Sequence, residues 1–547
     1  MTEQTHEPSR SPSPARACVL IGTGRTCDQL ASQLSTLPTS PVVHGCVTCD
    51  GRAPSAAVKL LGSIDQLPAI LAPLLATGTV AVVCLPRRLR AVALRAMSAL
   101  DRAGIPARVV PAIEDLLEGD GAIDPLRRTV LDYSRLIGRT PYGIDRRAVA
   151  RLIEGRRVLI TGAGGSIGSE IAQIAATFAP SSLVLMERAE NSLFEINRRI
   201  GERFPTVHRA AVLHDVIDAP GTLRHLTALK PDVVFHAAAH KHVPLMEEHP
   251  YHAVANNFFG TKSIADAAVA CGATRFVLIS SDKAVKPTSV MGATKRLAEM
   301  YVQALHRSIW ARRRQASASG PAASLCMVRF GNVLGSACSV LPIWSSQLSD
   351  GGPITVTDPR MTRYFMTIQE AAALVIQSGA IETADPTARV YVLDMGEPVK
   401  ILDLARSFVR ASGFNPVVAG GDTSIEEPQD PSFAATDLPS MEIRLTGARP
   451  GEKLHEELAY AAELLQPTPY PGINAWAGPL GDDFSLTTLV SDLATLSPTS
   501  DRRTVLDVIR AHVPELPERQ TPAQEPKMKT STAKESIRDT NITAITA

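Results

Sequence analysis

Excess charge of either sign is missing from this chain of 547 residues: 56 lysines and arginines meet 55 aspartates and glutamates, a formal net charge of +1. Without a basic excess or a long charge block, neither a nucleic-acid partner nor a charged tail is indicated. Cysteine is scarce as well, with eight residues at 18, 27, 46, 49, 84, 271, 326 and 338. That is too sparse for a disulfide framework at this length. Cys46 and Cys49 form one CxxC, but a zinc site needs a second ligand pair at matching spacing, so these read as ordinary thiols. The opening MTEQTHEPSRSPSPAR holds acids and prolines in place of an apolar run and does not read as a secretory signal. The charge-free stretch 66–85 is broken by Pro68, Pro73 and Thr77-Gly78-Thr79. It reads as a helix over 67–76 and a buried strand over 80–85, not as a membrane span. A cytoplasmic protein without a transmembrane segment is expected.

What is present is the balance of a soluble globular protein: 45% hydrophobic and 20% charged residues, enough to bury a sizeable core. At roughly 100–200 residues per domain, three or so folding units are expected. Residues 1–16 and 520–547 read as disordered polar tails. Residues 17–130 alternate strand and helix patterns and predict a Rossmann-like α/β unit. Its glycine loop, Gly22-Thr23-Gly24-Arg25-Thr26-Cys27, has cysteine where a third glycine would allow tight helix–strand packing, so it is weak as a nucleotide signature. Residues 131–154 read as a linker with a short helix. A second α/β unit with a doubly wound parallel sheet and a smaller C-terminal substrate-binding subdomain is expected over 155–465. A surface loop is expected at 315–324, and a C-terminal extension over 466–519 with one amphipathic helix near 503–513.

The strongest local signal is RRVLITGAGGSIGSEIAQIAA. An apolar strand runs into Gly162, Gly165 and Gly168, and a helix begins at Ser166-Ile167. Glycines there let backbone amides approach a pyrophosphate, and the helix N-terminus favours its charge. The next strand ends at Glu187, 19 residues beyond Gly168. A carboxylate at that place accepts from ribose hydroxyls and repels a 2′-phosphate, which favours NAD over NADP, although Arg188 beside it suits a phosphate. Asp215 and Val216 fall at the adenine edge, Ala237, Ala238 and Ala239 beneath the cofactor, and Asn257 on the helix that follows. Five histidines lie within 236–252, but strand and helix geometry scatters their rings, so no metal site is expected.

The segment SSDKAVKPTSVMGATKRLAEM carries the chemistry. Lys295 follows Met291 by four residues on an expected helix, so both face one way. In short-chain dehydrogenases this spacing is YxxxK, with a tyrosinate as base, and a thioether cannot take a proton. Asp282 and Lys283 follow the strand ending at Ser280-Ser281, at the carboxyl end of the sheet where ligands bind. An acid and an amine there suit general acid/base work.

TGAGGSIGSE, HAAAHKHVPLME, SSDKAVKPTSVMGATKR, RFGNVLGS, GGPITVTDPRMTRYFMTIQEA and TGARPGEKLHEEL follow one another over about 300 residues. Together they resemble the polysaccharide-biosynthesis branch of extended short-chain dehydrogenase/reductases, the UDP-N-acetylglucosamine 4,6-dehydratases that retain configuration at C5. That group carries methionine in the tyrosine slot, and its C5-inverting sisters keep the tyrosine. The resemblance implies a hydro-lyase with tightly bound, recycled NAD: hydride leaves C4, Lys283 removes the C5 proton, Asp282 protonates the leaving C6 hydroxyl, and hydride returns to C6. It places Ser281 near the C4 oxygen and Lys295 on the nicotinamide ribose. The acceptor of the C4 hydroxyl proton stays open between Asp282 and a water near Lys295.

For the UDP end the resemblance implies Lys241, His242, Asn332, Ser339, Val340, Pro342 and Thr355. Arg363 and Arg449 suit bidentate phosphate recognition, and Glu452 a ribose hydroxyl. Relatives usually show Arg-Gly where this chain has Ala337-Cys338. The N-terminal unit resembles the family's accessory domain, and a homo-oligomer is expected. The competing readings are a C5-inverting dehydratase or nucleotide-sugar epimerase, and a non-catalytic NAD-sensing or assembly protein.

Overall fold

The computed structural model describes residues 17–35, 41–50, most of 52–110, Arg139, 141–315, 323–382, 388–419, 439–460, 464–476 and 484–518. The two expected tails and most of the expected loop at 315–324 lie outside these residues.

In the first unit the strands Ala17–Gly22, Val42–Thr48, Leu60–Ser63, Val80–Cys84 and Ala107–Val109 form one parallel sheet in the spatial order third, second, first, fourth, fifth. This is the Rossmann order. Strand Leu60–Ser63 was not expected: it is a four-residue edge strand containing Gly62, with too little alternation to read. The helix expected from 67 is described over Leu67–Leu71. The glycine loop holds its own amides. Thr23 N donates to Thr26 Oγ1 at 2.8 Å, Thr26 N to Thr23 Oγ1 at 3.2 Å, and Gly24 N to Asp50 Oδ1 at 3.2 Å.

The second unit is built on nine strands. In spatial order they are Gln466–Pro467, Ile473–Trp476, Val390–Leu393, Ser324–Arg329, Arg275–Ile279, Val233–His236, Arg157–Thr161, Ser182–Glu187 and Arg209–Leu213. The last seven are parallel, and the first two add antiparallel at one edge. The central strands are apolar on both faces because helices cover both. Side chains alternate accordingly. Leu159, Val234, Phe276, Leu278 and Met327 join a core under the helices Gly260–Ala270 and Val290–Gln315. Val158, Ile160, Phe235, Val277 and Val328 join another under Ser166–Ala176 and Ile368–Gly379. This is the doubly wound α/β sheet expected.

Two expected boundaries move. The supposed linker is part of this unit: helix Arg146–Ile153 buries Val149, Leu152 and Ile153 in its core. Ahead of it, Arg139 forks onto Glu370, with Nε to Oε2 and Nη2 to Oε1 both at 2.9 Å. Tyr142 donates its hydroxyl to Asp394. Its seven-residue span from Arg139 to Asp145 has no helical or strand period, so only the tertiary contacts reveal its place. The supposed C-terminal extension is equally integral. It supplies both antiparallel edge strands and the helices Leu486–Ala494 and Arg502–His512, whose Leu489, Leu493, Val505 and Ile509 are fully buried. Arg502 Nη2 donates to Glu247 Oε2 at 2.8 Å, and Glu247 Oε1 accepts from Val290 N at 2.7 Å. The C-terminal helix therefore helps to cap the helix that carries Met291 and Lys295.

A smaller subdomain has its own core. Strands Ile354–Val356, Ser440–Leu445 and Asn415–Val418 form a parallel sheet covered by helices Val340–Ser349 and Ile401–Ala411, with Trp344 and Phe408 at the centre.

Candidate active site

Strand Arg157–Thr161 stops at Gly162, whose φ of +64° lies in the left-handed region. A Cβ there would come within 2.7 Å of Ala238 N, and one on Gly168 would collide with Gly162 O. The turn can therefore close only with glycine at these places, which puts Ala237 and Ala238 directly beneath it. Gly165 caps the helix beginning at Ser166. A cradle of this shape, open at a helix N-terminus, fits a dinucleotide pyrophosphate. Ile167 is partly buried against the core.

Glu187 reaches back to this loop: its Oε2 accepts from Gly164 N at 3.2 Å, and its Oε1 from Arg188 N at 3.0 Å and Ala189 N at 3.1 Å. Arg188 lies 3.8 Å from Asp215 and 3.5 Å from His240 Nε2. Val216 is buried against Gly260. Asn257, expected on an ordinary helix, sits in a π-helical turn over Val254–Phe259. It clamps the chain past Ala239, accepting from His240 N at 2.8 Å and donating to His240 O and Thr294 Oγ1, both at 3.1 Å. Its amide is engaged by protein, so it orients the cofactor loop.

Met291 is buried at the start of helix Val290–Gln315, with Lys295 one turn later. Lys295 Nζ donates to Ile279 O at 2.8 Å. Burial lowers its pKa from 10.5 to about 8, against the opposing pull of Glu299. Between those values the unfolded chain binds more protons here than the folded one. The penalty of burying the charge thus stands in full below the window and shrinks as pH rises through it. Lys295→Met is expected to raise the urea midpoint over wild type at neutral pH and to lose that advantage by about pH 10. A gain independent of pH would contradict this cause. His236, one strand away, is pushed down to about 3 by burial and by Lys295. It bridges Thr161 Oγ1 at 2.7 Å and Thr261 Oγ1 at 3.0 Å, which marks it as structural rather than a proton carrier.

The turn after strand Arg275–Ile279 carries the residues expected to be reactive. Asp282 is fully buried. Its Oδ1 accepts from Ser281 Oγ at 2.8 Å and from Lys283 Nζ at 2.9 Å, while its Oδ2 has no partner. Lys283 Nζ also donates to Asn332 Oδ1 at 3.2 Å and lies 3.8 Å from Glu456 Oε1. Burial works to lower the Lys283 pKa, but Asp282 and Glu456 outweigh it and the net shift is upward. Lys283 is thus an ammonium at rest. Behind the turn, Arg329 forks onto Glu299 at 2.8 and 2.7 Å, and Ser280 Oγ donates to the same carboxylate at 2.7 Å.

The residues expected at the UDP end divide. Lys241 Nζ donates to Ala337 O at 2.8 Å, and Ala337 N donates to Ser166 Oγ at 3.0 Å, so the 335–339 turn lies against the cofactor helix. Cys338 holds a φ of +55°, which explains why glycine suits that place. His242 has a lowered pKa, from burial and then from Lys241 and Arg449, so a neutral imidazole shares one rim with these two cations. Ser339 stands at the N-cap position of helix Val340–Ser349, whose first turn holds Pro342, and its Oγ is buried without a partner.

Four of the expected residues are engaged by protein groups. Arg363 is buried, and its guanidinium donates to the carbonyls of Thr362, Lys453 and Leu454 at 2.7–3.2 Å, so it shapes the 453–456 segment instead of offering an open fork. Arg449 and Glu452 pair with each other, Nη2 to Oε1 at 2.7 Å. Thr355 is tied through its N and Oγ1 to Gln347, both at 2.9 Å. Glu456 was missed. It sits in the same motif as Glu452, and only the folded path of 449–456 shows which of its acids turns inward. No cluster among the described residues could hold a metal ion, and none of their helices is long and apolar enough to cross a membrane.

Fold and site define a Rossmann-type α/β protein with a glycine cradle shaped for a dinucleotide. The chain belongs to the polysaccharide biosynthesis protein family, whose pattern matches residues 158–477. It is 41% identical over 362 residues to the capsular polysaccharide biosynthesis protein CapD of Staphylococcus aureus, covering 66% of this chain and 54% of that one. It is 41% identical over 406 residues to the probable polysaccharide biosynthesis protein EpsC of Bacillus subtilis, covering 74% and 61%. The chain thus spans little more than half the length of these relatives. Over 310 residues it is 27% identical to an inverting UDP-N-acetylglucosamine 4,6-dehydratase of Campylobacter jejuni, covering 55% of this chain and 76% of that one.

Proposed function

We propose that this chain catalyses the NAD-dependent 4,6-dehydration of UDP-N-acetylglucosamine with retention at C5, giving the 4-keto-6-deoxy sugar for bacterial polysaccharide or glycan synthesis. The observation that carries this reading is the buried Met291 one turn before Lys295, beside the Ser281-Asp282-Lys283 turn. A plain oxidoreductase would need an ionisable group at 291. A dehydratase needs an acid and a base, and the turn supplies both.

The cradle at Gly162, Gly165, Ser166 and Gly168 would hold the NAD pyrophosphate, Glu187 the adenosine ribose and Lys295 the nicotinamide ribose. When bound, NAD supplies a hydride acceptor for C4 and a hydride donor for C6. The chain's own groups move the protons. Ser281 Oγ is placed to hydrogen-bond the C4 oxygen. Oxidation at C4 releases the hydroxyl proton to water, and a proton taken back from water restores the Lys283 ammonium at the end of the cycle. The C4 ketone acidifies the C5 proton. The Lys283–Asp282 hydrogen bond is a ready path for one proton: its passage from Nζ to Oδ1 leaves an amine that can take the C5 proton and an acid that can protonate the departing C6 hydroxyl. Reprotonation of C5 from the same Lys283 face retains configuration. Lys241 and Arg449 supply positive charge for the diphosphate, the His242 ring a hydrogen bond, and the exposed Arg449–Glu452 pair can open toward phosphate and ribose.

Incubation with UDP-N-acetylglucosamine is expected to yield a product lighter by one water, with no net NADH. A product of unchanged mass would indicate an epimerase. No product from NAD-loaded protein would favour a non-catalytic role.

A further inference from the structure

The dehydration reading leaves Glu456 without a task, and this inference rests on that reading. Glu456 is buried. Its Oε1 lies 3.8 Å from Lys283 Nζ and 4.0 Å from Arg363 Nε. Its Oε2 lies 4.0 Å from Lys453 Nζ and has no hydrogen-bond partner. A buried carboxylate with an unmatched oxygen is costly unless a charge compensates it. The surrounding architecture holds it there: Arg363 fixes the carbonyls of 453 and 454, and Lys453 Nζ donates to Val285 O at 2.8 Å, two residues from Lys283. The charged groups facing Lys283 are then Asp282 from its own turn, Glu456 and Lys453 from the 453–456 segment, and Arg363 from its strand. Tyr364 lies near Asp282 with its pKa raised, by burial first.

We propose that Glu456 is a positioning residue for the dehydration step, holding Lys283 Nζ in place as the ammonium at rest so that the amine is released only by proton transfer to Asp282. Asp282 alone gives Lys283 one counter-charge, and the buried ammonium has to lose against desolvation as well. Glu456 adds the second, at 3.8 Å. It also comes from a segment that carries the Arg449–Glu452 pair, so a nucleotide drawing on that pair acts on the chain that sets the Lys283 charge.

The test compares wild type with Glu456→Gln in the full chain as purified. Lysines are labelled with trace acetic anhydride at fixed mildly alkaline pH, and Lys283 is quantified by peptide mass spectrometry against the other lysines. An opposite charge at this range moves a pKa by about one to three units, so the free-amine fraction rises by about 10–1,000-fold when it is lost. Lower nucleophilicity offsets part of that, leaving an expected rise in relative labelling of at least about threefold. Glu456→Asp, which keeps the charge one methylene away, is expected to give a smaller rise and to recover part of kcat, and it decides the matter if the glutamine variant does not fold. Unchanged Lys283 labelling in these variants, with or without loss of activity, would overturn the proposal. The labelling needs no turnover, so a wild type that fails to dehydrate the sugar would sink the functional reading without touching this result.

Discussion

Lys283→Ala is expected to lower turnover by about 10²–10⁴-fold, the usual contribution of a positioned acid or base, while leaving NAD content near wild type. The separation follows from geometry. Lys283 touches Asp282, Asn332 and Glu456, and none of these belongs to the glycine cradle or to the Glu187 end of the dinucleotide site. The variant removes both the proton that Asp282 would receive and the amine that would take the C5 proton. It also leaves Asp282 and Glu456 facing each other without their cation, so a shift of the remaining activity toward low pH is expected, where one of them is neutral. Activity of the stopped reaction is read as product by chromatography, and bound NAD by absorbance after acid release. Full activity would refute the assignment of Lys283. Loss of NAD together with activity would show that the residue serves the fold of the cofactor site.

The largest effect on stability is expected at Glu299. Its carboxylate and the Arg329 guanidinium are both wholly inaccessible, and Arg296 and Ser280 complete the group. Arg329 brings the second counter-charge that lets Glu299 stay ionised: burial works to raise its pKa, and the arginines reverse the shift. Glu299→Ala removes the carboxylate that neutralises the buried Arg329 guanidinium, which costs about 3–5 kcal/mol. That is a large part of the roughly 5–15 kcal/mol that holds a domain folded. The urea midpoint should fall with the slope unchanged. The double variant Glu299→Met with Arg329→Met should recover much of the loss, because apolar side chains of similar size remove both charges together. A single-variant loss below about 1 kcal/mol would contradict a fully desolvated pair. Ser280 bonds Glu299 and precedes the proposed catalytic turn, so the recovered double variant should still show weakened turnover.

The second unit's sheet was legible because its strands are apolar runs closed by glycines, and each run meets a helix with a matching stripe. Gly162, Gly168 and Glu187 could be read in the same way, since their roles depend on backbone shape and on distance along the chain. What escaped has a common physical form. Arg139 and Glu370 lie 231 residues apart, and nothing local in either segment marks the pair. The C-terminal strands Gln466–Pro467 and Ile473–Trp476 are short and sit among prolines and glycines, so they read as an extension although they complete the sheet. In the motif 449–456, a pattern of charges names Arg449 and Glu452 for the ligand, but it cannot say that Glu456 turns inward while the other two pair at the surface. Arg363 shows the converse: residue type suggested phosphate, and burial gave its donors to three carbonyls.

The central claim, a hydride moved from C4 to C6 with the C5 configuration kept, is tested most directly with UDP-N-acetylglucosamine deuterated at C4. The product's proton and carbon spectra then report the label and the C5 coupling pattern together. The account predicts deuterium at C6 of a 4-keto-6-deoxy sugar whose C5 configuration is that of the substrate. Deuterium returned to C4, or an inverted C5, would contradict it.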